Sequence, residues 1–334
     1  MNDLLRTGDA PIRDPLRDAR RAVGGGRFRE GLHLLEGAER NAMSTAEWLL
    51  LHAMATWRVG QFNDSHASAE RALTAYRERM DLDGEMRTTN VAAAGAFALG
   101  QLTEARRGFE RARELARQLD DTLMAARCAN NIGNVAYYLG GTEDALTLYN
   151  QAANLFGQVG SLRGTAEAWH NMGVVLVEMR RPVDARVAAD RALDIAARLD
   201  DDRILGWAVG GRAEVDAGLG DLRLAEVHAR RSRDLAREHD DPLTEVDALR
   251  VLAVVSRLDG QAAEAVARAR IAVVHAVSAG NPFVIAKCQV ELGECEAAAG
   301  DAVQAARTWK EAADGYQAIG AARRVQALRQ RGRD

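Results

Sequence analysis

Lysine is nearly missing from this chain of 334 residues. Of its 44 basic residues only Lys287 and Lys310 are lysines, a bias read as the mark of a GC-rich bacterial genome rather than of a ligand. Aromatic residues make up 5%, and alanine takes their place, which suits helices packed at close range. Five prolines leave long helices uninterrupted. Three of them, in Asp14-Pro15, Asp241-Pro242 and Asn281-Pro282, follow a capping side chain at a first helical position. The three cysteines, Cys128, Cys288 and Cys295, are odd in number. Cys288 and Cys295 lie two turns apart on one predicted helix, about 10 Å by helix rise, too far for a disulfide. Reduced, buried thiols are expected. No run approaches the roughly 18 apolar residues of a membrane span, and the opening MNDLLRTGDAPIRD lacks the apolar segment of a signal peptide. The expectation is a cytoplasmic protein that does not enter a membrane.

Chemistry is equally thin. His33, His52, His66, His170, His228, His239 and His275 show no metal-ligand spacing. No cysteine sits in a recognisable nucleophile setting. Gly24-Gly25-Gly26 follows a helix rather than a strand, so it is no phosphate loop. A net charge of −4 and a pI near 6.0 leave no electrostatic footprint for nucleic acid. The chain is expected to be no enzyme, to carry no cofactor or metal, and not to bind nucleic acid.

What is present is a repeat. Gly60, Gly100, Gly140, Gly220, Gly260 and Gly300 fall in multiples of 40 residues, with Arg180 in the vacant slot. Five residues after each stand Ser65, Ala105, Ala145, Ala185, Ala225, Ala265 and Ala305; twelve after stand Ala72, Ala112, Ala152, Ala192, Ser232, Ala272 and Ala312. Gly26, Gly31 and Ala38 repeat the pattern once more. A single helical hairpin cannot bury its apolar face, whereas stacked hairpins can, so a fixed period of this length predicts an all-α solenoid. The turn glycine supplies positive φ between antiparallel helices. The small residues seven apart form a stripe where the second helix crosses the first. Gly133, Gly173 and Gly293, with Ala53, Ala93, Ala213 and Ala253, keep the matching slot small on the first helix.

The predicted helix pairs are 44–59 and 62–78, 84–99 and 102–118, 122–139 and 143–158, 163–179 and 182–198. Three more follow: 203–219 and 222–238, 242–259 and 262–278, and 282–299 and 302–318. Residues 1–13 are expected to be disordered, 14–41 a degenerate first hairpin, 14–318 one solenoid, and 319–334 a capping helix and tail. Arg323, Arg324, Arg329, Arg331 and Arg333 are expected to face solvent on that cap. Ser44-Thr45-Ala46-Glu47 reads as a capping box, and Asp120-Asp121, Asp200-Asp201-Asp202 and Asp240-Asp241 as helix caps.

Trp169-His170-Asn171-Met172-Gly173 with Ala185 and Ala192 resembles the tetratricopeptide-repeat pattern, as does Asn131-Ile132-Gly133-Asn134 with Gly140, Ala145, Tyr149 and Ala152. The resemblance covers residues 14–318. It departs from the family in its period, 40 rather than about 34, and in lacking the closing proline of most units. This long-period form is similar to the arrays of kinesin light chains, bacterial peptide-pheromone receptors and large bacterial transcriptional activators. The resemblance implies a right-handed superhelix of about eight hairpins whose first helices line a concave groove. Carried onto this sequence, the groove positions are Arg87, Asn90, Arg127, Asn130, Asn131, Asn134, Glu167, His170 and Asn171. Trp207, Asp247, Arg250, Lys287, Glu291 and Glu294 extend the series.

Asparagine amides carry both donor and acceptor groups, so a ladder of them suits an extended peptide backbone, with Arg87 and Arg127 selecting a carboxylate. A solvated inner face wants polar residues too, so structural polarity explains the same positions. Trp57, Phe97, Tyr137 and Tyr138 read as packing residues. The function expected is a protein or peptide interaction module acting as scaffold or peptide sensor. The alternative is a regulatory subunit that meets a kinase, polymerase or transcription-factor partner through its convex or terminal surface.

Overall fold

A residue with positive φ recurs every twenty positions, and these corners generate the architecture. Gly60, Gly100, Gly140, Gly220, Gly260 and Gly300 have φ between 77° and 85°, and Arg180 adopts 56° in their place. Midway between them Met80, Asp120 and Asp240 have φ of 51–55°, and Gly160, Gly280 and Gly320 have φ of 68–75°. The mechanics are those of a left-handed helix terminus. Gly140 N donates to Tyr137 O at 2.9 Å and Gly141 N to Ala136 O at 2.8 Å, which satisfies carbonyls the ending helix would orphan. The corner near residue 200 is the exception: α10 stops at Ala196 and Asp201 caps the next helix by accepting from Arg203 N and Ile204 N.

The computed structural model describes residues 16–37 and 45–331. The expectations for residues 1–13, Asp14-Pro15, Ala38, Ser44 and Arg333 fall outside them. Among the described residues there are seventeen α-helices and no strand. They run α1 Arg17–Gly24, α2 Phe28–Glu36, α3 Ala46–Arg58, α4 Phe62–Glu78, α5 Leu82–Ala98 and α6 Leu102–Gln118. Then come α7 Thr122–Tyr138, α8 Thr142–Gln158, α9 Leu162–Glu178, α10 Pro182–Ala196, α11 Asp202–Leu219 and α12 Leu222–Glu238. The last are α13 Pro242–Leu258, α14 Ala262–Ala279, α15 Pro282–Ala298, α16 Ala302–Ala318 and α17 Ala322–Arg331. This is an all-α repeat solenoid, and every predicted pair is found within a few residues of its expected bounds.

Two compact units divide the chain, Met1–Gly95 and Ala96–Asp334, and the division falls inside α5. In the first, Leu16, Val23, Leu35, Leu51 and Ala55 form one apolar cluster and Leu49, Leu50, Ala53, Ala69, Ala72 and Tyr76 another. Trp48 Nε1 donates to Leu35 O at 3.1 Å, and Thr45 caps α3 by accepting from Trp48 N. In the second unit the small-residue stripes are fully buried: Ala105, Ala145, Ala225, Ala265 and Ala305 expose none of their surface, nor do Ala112, Ala152, Ser232 and Ala312. The slot facing the stripe is small for a visible reason at Gly133, where an added Cβ would come 2.6 Å from the Tyr149 ring. Cys128, Cys288 and Cys295 are free and buried. No helix is long and apolar enough to cross a membrane among the described residues.

Candidate functional site

Five consecutive first helices of the second unit, α7, α9, α11, α13 and α15, direct side chains into one cavity of about 200 Å³. Each contributes through the same face of its helix. From α7 come Asn134, Tyr137 and Tyr138; from α9, His170 and Asn171; from α11, Trp207 and Glu214. Asp247 enters from α13 and Phe283 and Lys287 from α15, while Tyr149 and Ser232 reach in from second helices. Neighbouring hairpins therefore build the site together, and no single one holds it.

The amides of this wall pair with one another. Asn171 Nδ2 donates to Asn130 Oδ1 at 3.1 Å and to Asn134 Oδ1 at 3.3 Å. Tyr149 hydroxyl donates to the same Asn134 oxygen at 2.8 Å. Asn130 is only 6% exposed and sits between α7 and α9, whereas Asn134 and Asn171 face the cavity. Asn131 is half-buried outside the cavity lining. Arg127 is exposed and does not reach the cavity. In the first unit Arg87 is exposed and pairs with Asp83 at 3.5 Å one turn away, and Asn90 is half-buried.

His170 lies flat on Trp207, with ring centroids 3.6 Å apart and planes 28° apart. Its ring also rests on Gly211, where any side chain would collide with it. Burial lowers the His170 pKa to about 4, against the opposing pull of the Glu214 and Asp247 carboxylates. The ring is neutral at physiological pH. His170 Nδ1 and Ser232 Oγ are buried and find no hydrogen-bond partner within the protein.

Four charges alternate beside this stack. Arg250 Nη2 stands 2.8 Å from Glu214 Oε1 and its Nε 3.5 Å from Asp247 Oδ1. Lys287 Nζ is 3.7 Å from Glu214 and 3.5 Å from Asp247. Burial works against the Glu214 charge, but Arg250 and Lys287 outweigh it and bring the carboxyl pKa down to about 2. Burial likewise opposes the Lys287 and Arg250 charges, and their carboxylate partners reverse the balance so that both are held above the usual range. Arg250 is 6% exposed and lies behind the cavity, so it acts on Glu214 rather than on the open space. Of the remaining groove positions, Glu167 pairs with Arg163 at 3.4 Å and Glu291 with Arg257 at 2.8 Å.

Aromatic rings form another part of the lining. Tyr138 stacks on Phe283 at 3.6 Å and 13°, and Phe97 meets Tyr138 at 4.5 Å. The expected packing role of Phe97, Tyr137 and Tyr138 is found, and the same rings line the cavity. Sequence reasoning missed Glu214, although it occupies the position after Ala213 that Asn134 occupies after Gly133. The solvent-facing expectation for Arg324 is corrected. Its side chain is 14% exposed, its Nη2 donates to Tyr137 O at 2.6 Å, and its Nε donates to Tyr138 O at 3.1 Å. These carbonyls end α7, where a cation is favoured, and Tyr137 O takes Arg324 as a second donor beside Gly140 N. Arg323 and Arg329 are exposed as expected. No group of histidine, cysteine or acidic residues able to hold a metal occurs among the described residues.

Residues 85–158 match the family model for the tetratricopeptide repeat. The segment from α5 to α8 is therefore of tetratricopeptide-repeat type. Among solved structures, a Rap protein complexed with competence and sporulation factor superimposes with a TM-score of 0.65 and 13% identity, covering 95% of each chain. The Rap conjugation gene regulator of plasmid pLS20 in complex with the Phr* peptide gives 0.69 and 14%, covering 82% of this array and 74% of that chain. NprR in complex with its cognate peptide NprX gives 0.62 and 13%, with 84% and 82% covered. At such identities the likeness is one of fold. No curated protein sequence matches the array.

Proposed function

We propose that this array is a non-catalytic interaction module that takes an extended peptide, or an extended segment of a protein partner, against the inner wall of its second unit. The observation that carries the reading is the convergence of five first helices on one cavity whose lining includes two buried polar atoms lacking a partner. Such atoms cost about 1–3 kcal/mol each when unpaired, a cost that a polar ligand relieves. Contacts within the protein use Asn171 Nδ2 and Asn134 Oδ1. The complementary atoms, Asn171 Oδ1 and Asn134 Nδ2, are those a peptide's N–H and C=O would engage. Trp207 and the Tyr138–Phe283 pair offer apolar surface for a side chain between backbone contacts. Neighbours of the same fold, solved with competence and sporulation factor, Phr* and NprX, support this reading.

The test is a peptide-library titration read through tryptophan fluorescence, followed by Asn134→Ala with Asn171→Ala. Loss of two amide contacts should weaken a bound peptide about ten-fold or more while the helical circular dichroism is kept. Unchanged affinity in the double variant would overturn the groove.

A second reading draws on apolar side chains exposed on the second helices. Val187 on α10, Val227 on α12 and Val274 on α14 are 49%, 57% and 64% exposed. A regulatory partner docked on these outer faces would be released by Val227→Glu and retained by the asparagine variants. The opposite result would favour the cavity.

A further inference from the structure

Stacked repeats touch mainly their neighbours, and the second unit departs from that rule where α7 meets α15 and α17: Tyr138 stacks on Phe283, and Arg324 supplies the hydrogen bonds beside that stack. Arg324, near the start of α17, reaches the end of α7, 187 residues away, and donates there to the carbonyls of Tyr137 and Tyr138. Its guanidinium also lies 4.8 Å from the Tyr137 ring centroid, 5.1 Å from that of Phe283, and 3.3 Å from the Glu178 carboxylate. The same seam continues on either side. A Cβ at Gly100 would come 2.6 Å from Ile319, and one at Gly140 would come 3.0 Å from Arg323. Pairing of adjacent hairpins does not make these contacts, which join the corners of early hairpins of this unit to Ile319 and α17. Tyr137, Tyr138 and Phe283, which Arg324 clamps together, are also walls of the cavity.

We propose that α17 is a latch: Arg324 holds the two ends of the second unit's inner wall together, and its release from the Tyr137 and Tyr138 carbonyls is the step that admits a ligand. The consequence for binding rests on the cavity being the ligand site, but the closure itself is measurable without any ligand. Its grip is a forked set of donors matched to two carbonyls and one carboxylate, which methionine cannot reproduce and lysine reproduces in part.

The experiment uses the full chain with Arg324→Met, which keeps the apolar stem against the rings. Acrylamide quenching is measured in the parent and the variant, each with and without Trp207→Phe, so that the difference isolates Trp207. The Trp207 quenching constant should rise about three-fold, and amide exchange should quicken about ten-fold in segments 134–141 and 280–288 while segment 222–238 keeps its rate. Arg324→Lys should show the same changes at smaller amplitude, which keeps the test open if the methionine variant does not fold. Unchanged Trp207 quenching, or exchange that quickens evenly from α6 to α16, would overturn the latch. A peptide that fails to bind the opened variant counts against the cavity reading and leaves the closure standing.

Discussion

His170 shows how much a single residue depends on its surroundings. Its ring is fitted between Trp207 and the bare backbone of Gly211, and neutrality is the condition of that fit. The folded pKa, lowered by burial from 6.5 to about 4, means the unfolded chain binds the proton more readily. The stability contributed by neutral His170 is therefore complete above pH 6.5 and is lost as the pH falls toward 4. A shift of this size corresponds to about 3 kcal/mol. Urea unfolding of the parent between pH 7 and 4 should show that decline, and His170→Phe, which keeps a ring on Trp207, should flatten it. Equal slopes in the two proteins would remove His170 from the account.

At this scale the sequence was only partly readable. Asn130, Asn134 and Asn171 were recognisable as inner-face residues from their distance to Gly133 and Gly173. Their pairing across about forty residues was not, because a periodic pattern gives each helix its face and leaves the rotamers open. Glu214 carried the same positional signal as Asn134. Arg324 carried none: an arginine in a basic tail looks solvated until the carbonyls of α7 are placed beside it.

At the scale of the element, the corners are what the composition reveals best. Glycine is the residue that takes positive φ without strain, so six glycines spaced in multiples of forty residues announce six helix ends. The intervening corners at Met80, Asp120 and Asp240 went unannounced, since ordinary residues fill them at φ of 51–55°. Arg180 is the informative exception among the first set. A left-handed non-glycine residue costs roughly 1–2 kcal/mol, part of which glycine returns through its freer unfolded chain. Arg180→Gly should accordingly stabilise the protein by about 0.5–1 kcal/mol, seen as a higher urea midpoint with an unchanged slope. A lower midpoint would mean that the Arg180 side chain contributes more than its backbone loses.

For the whole molecule, stability should be graded along the stack, because an array sums local interfaces. The last of them is the seam that α17 covers. Ala321, Val325 and Leu328 are buried against it, together with Tyr316 and Ile319. Removing residues 320–334 deletes the buried Val325 and Leu328, worth roughly 1.5–3 kcal/mol each, and uncovers Tyr316 and Ile319. The thermal midpoint should fall by several degrees, with amide exchange quickening first in α15 and α16. Arg324→Met should lose much less, since it releases polar contacts and leaves the apolar cover in place. Equal losses would show that the fork, and not the seam, supports the end of the stack. The sequence made the stack itself plain and marked α17 as its cover, because both follow from apolar periodicity. It was silent on the contact between α17 and α7, which depends on how far the stack has turned by the time it reaches its end.

The corner every twenty residues sets the grammar by which this chain can be edited. Adding one residue inside a helix turns everything beyond it by about 100° and carries the inner wall out of line. Adding or excising forty residues between equivalent corners joins like to like, so such a chain can be lengthened or shortened without learning a new fold.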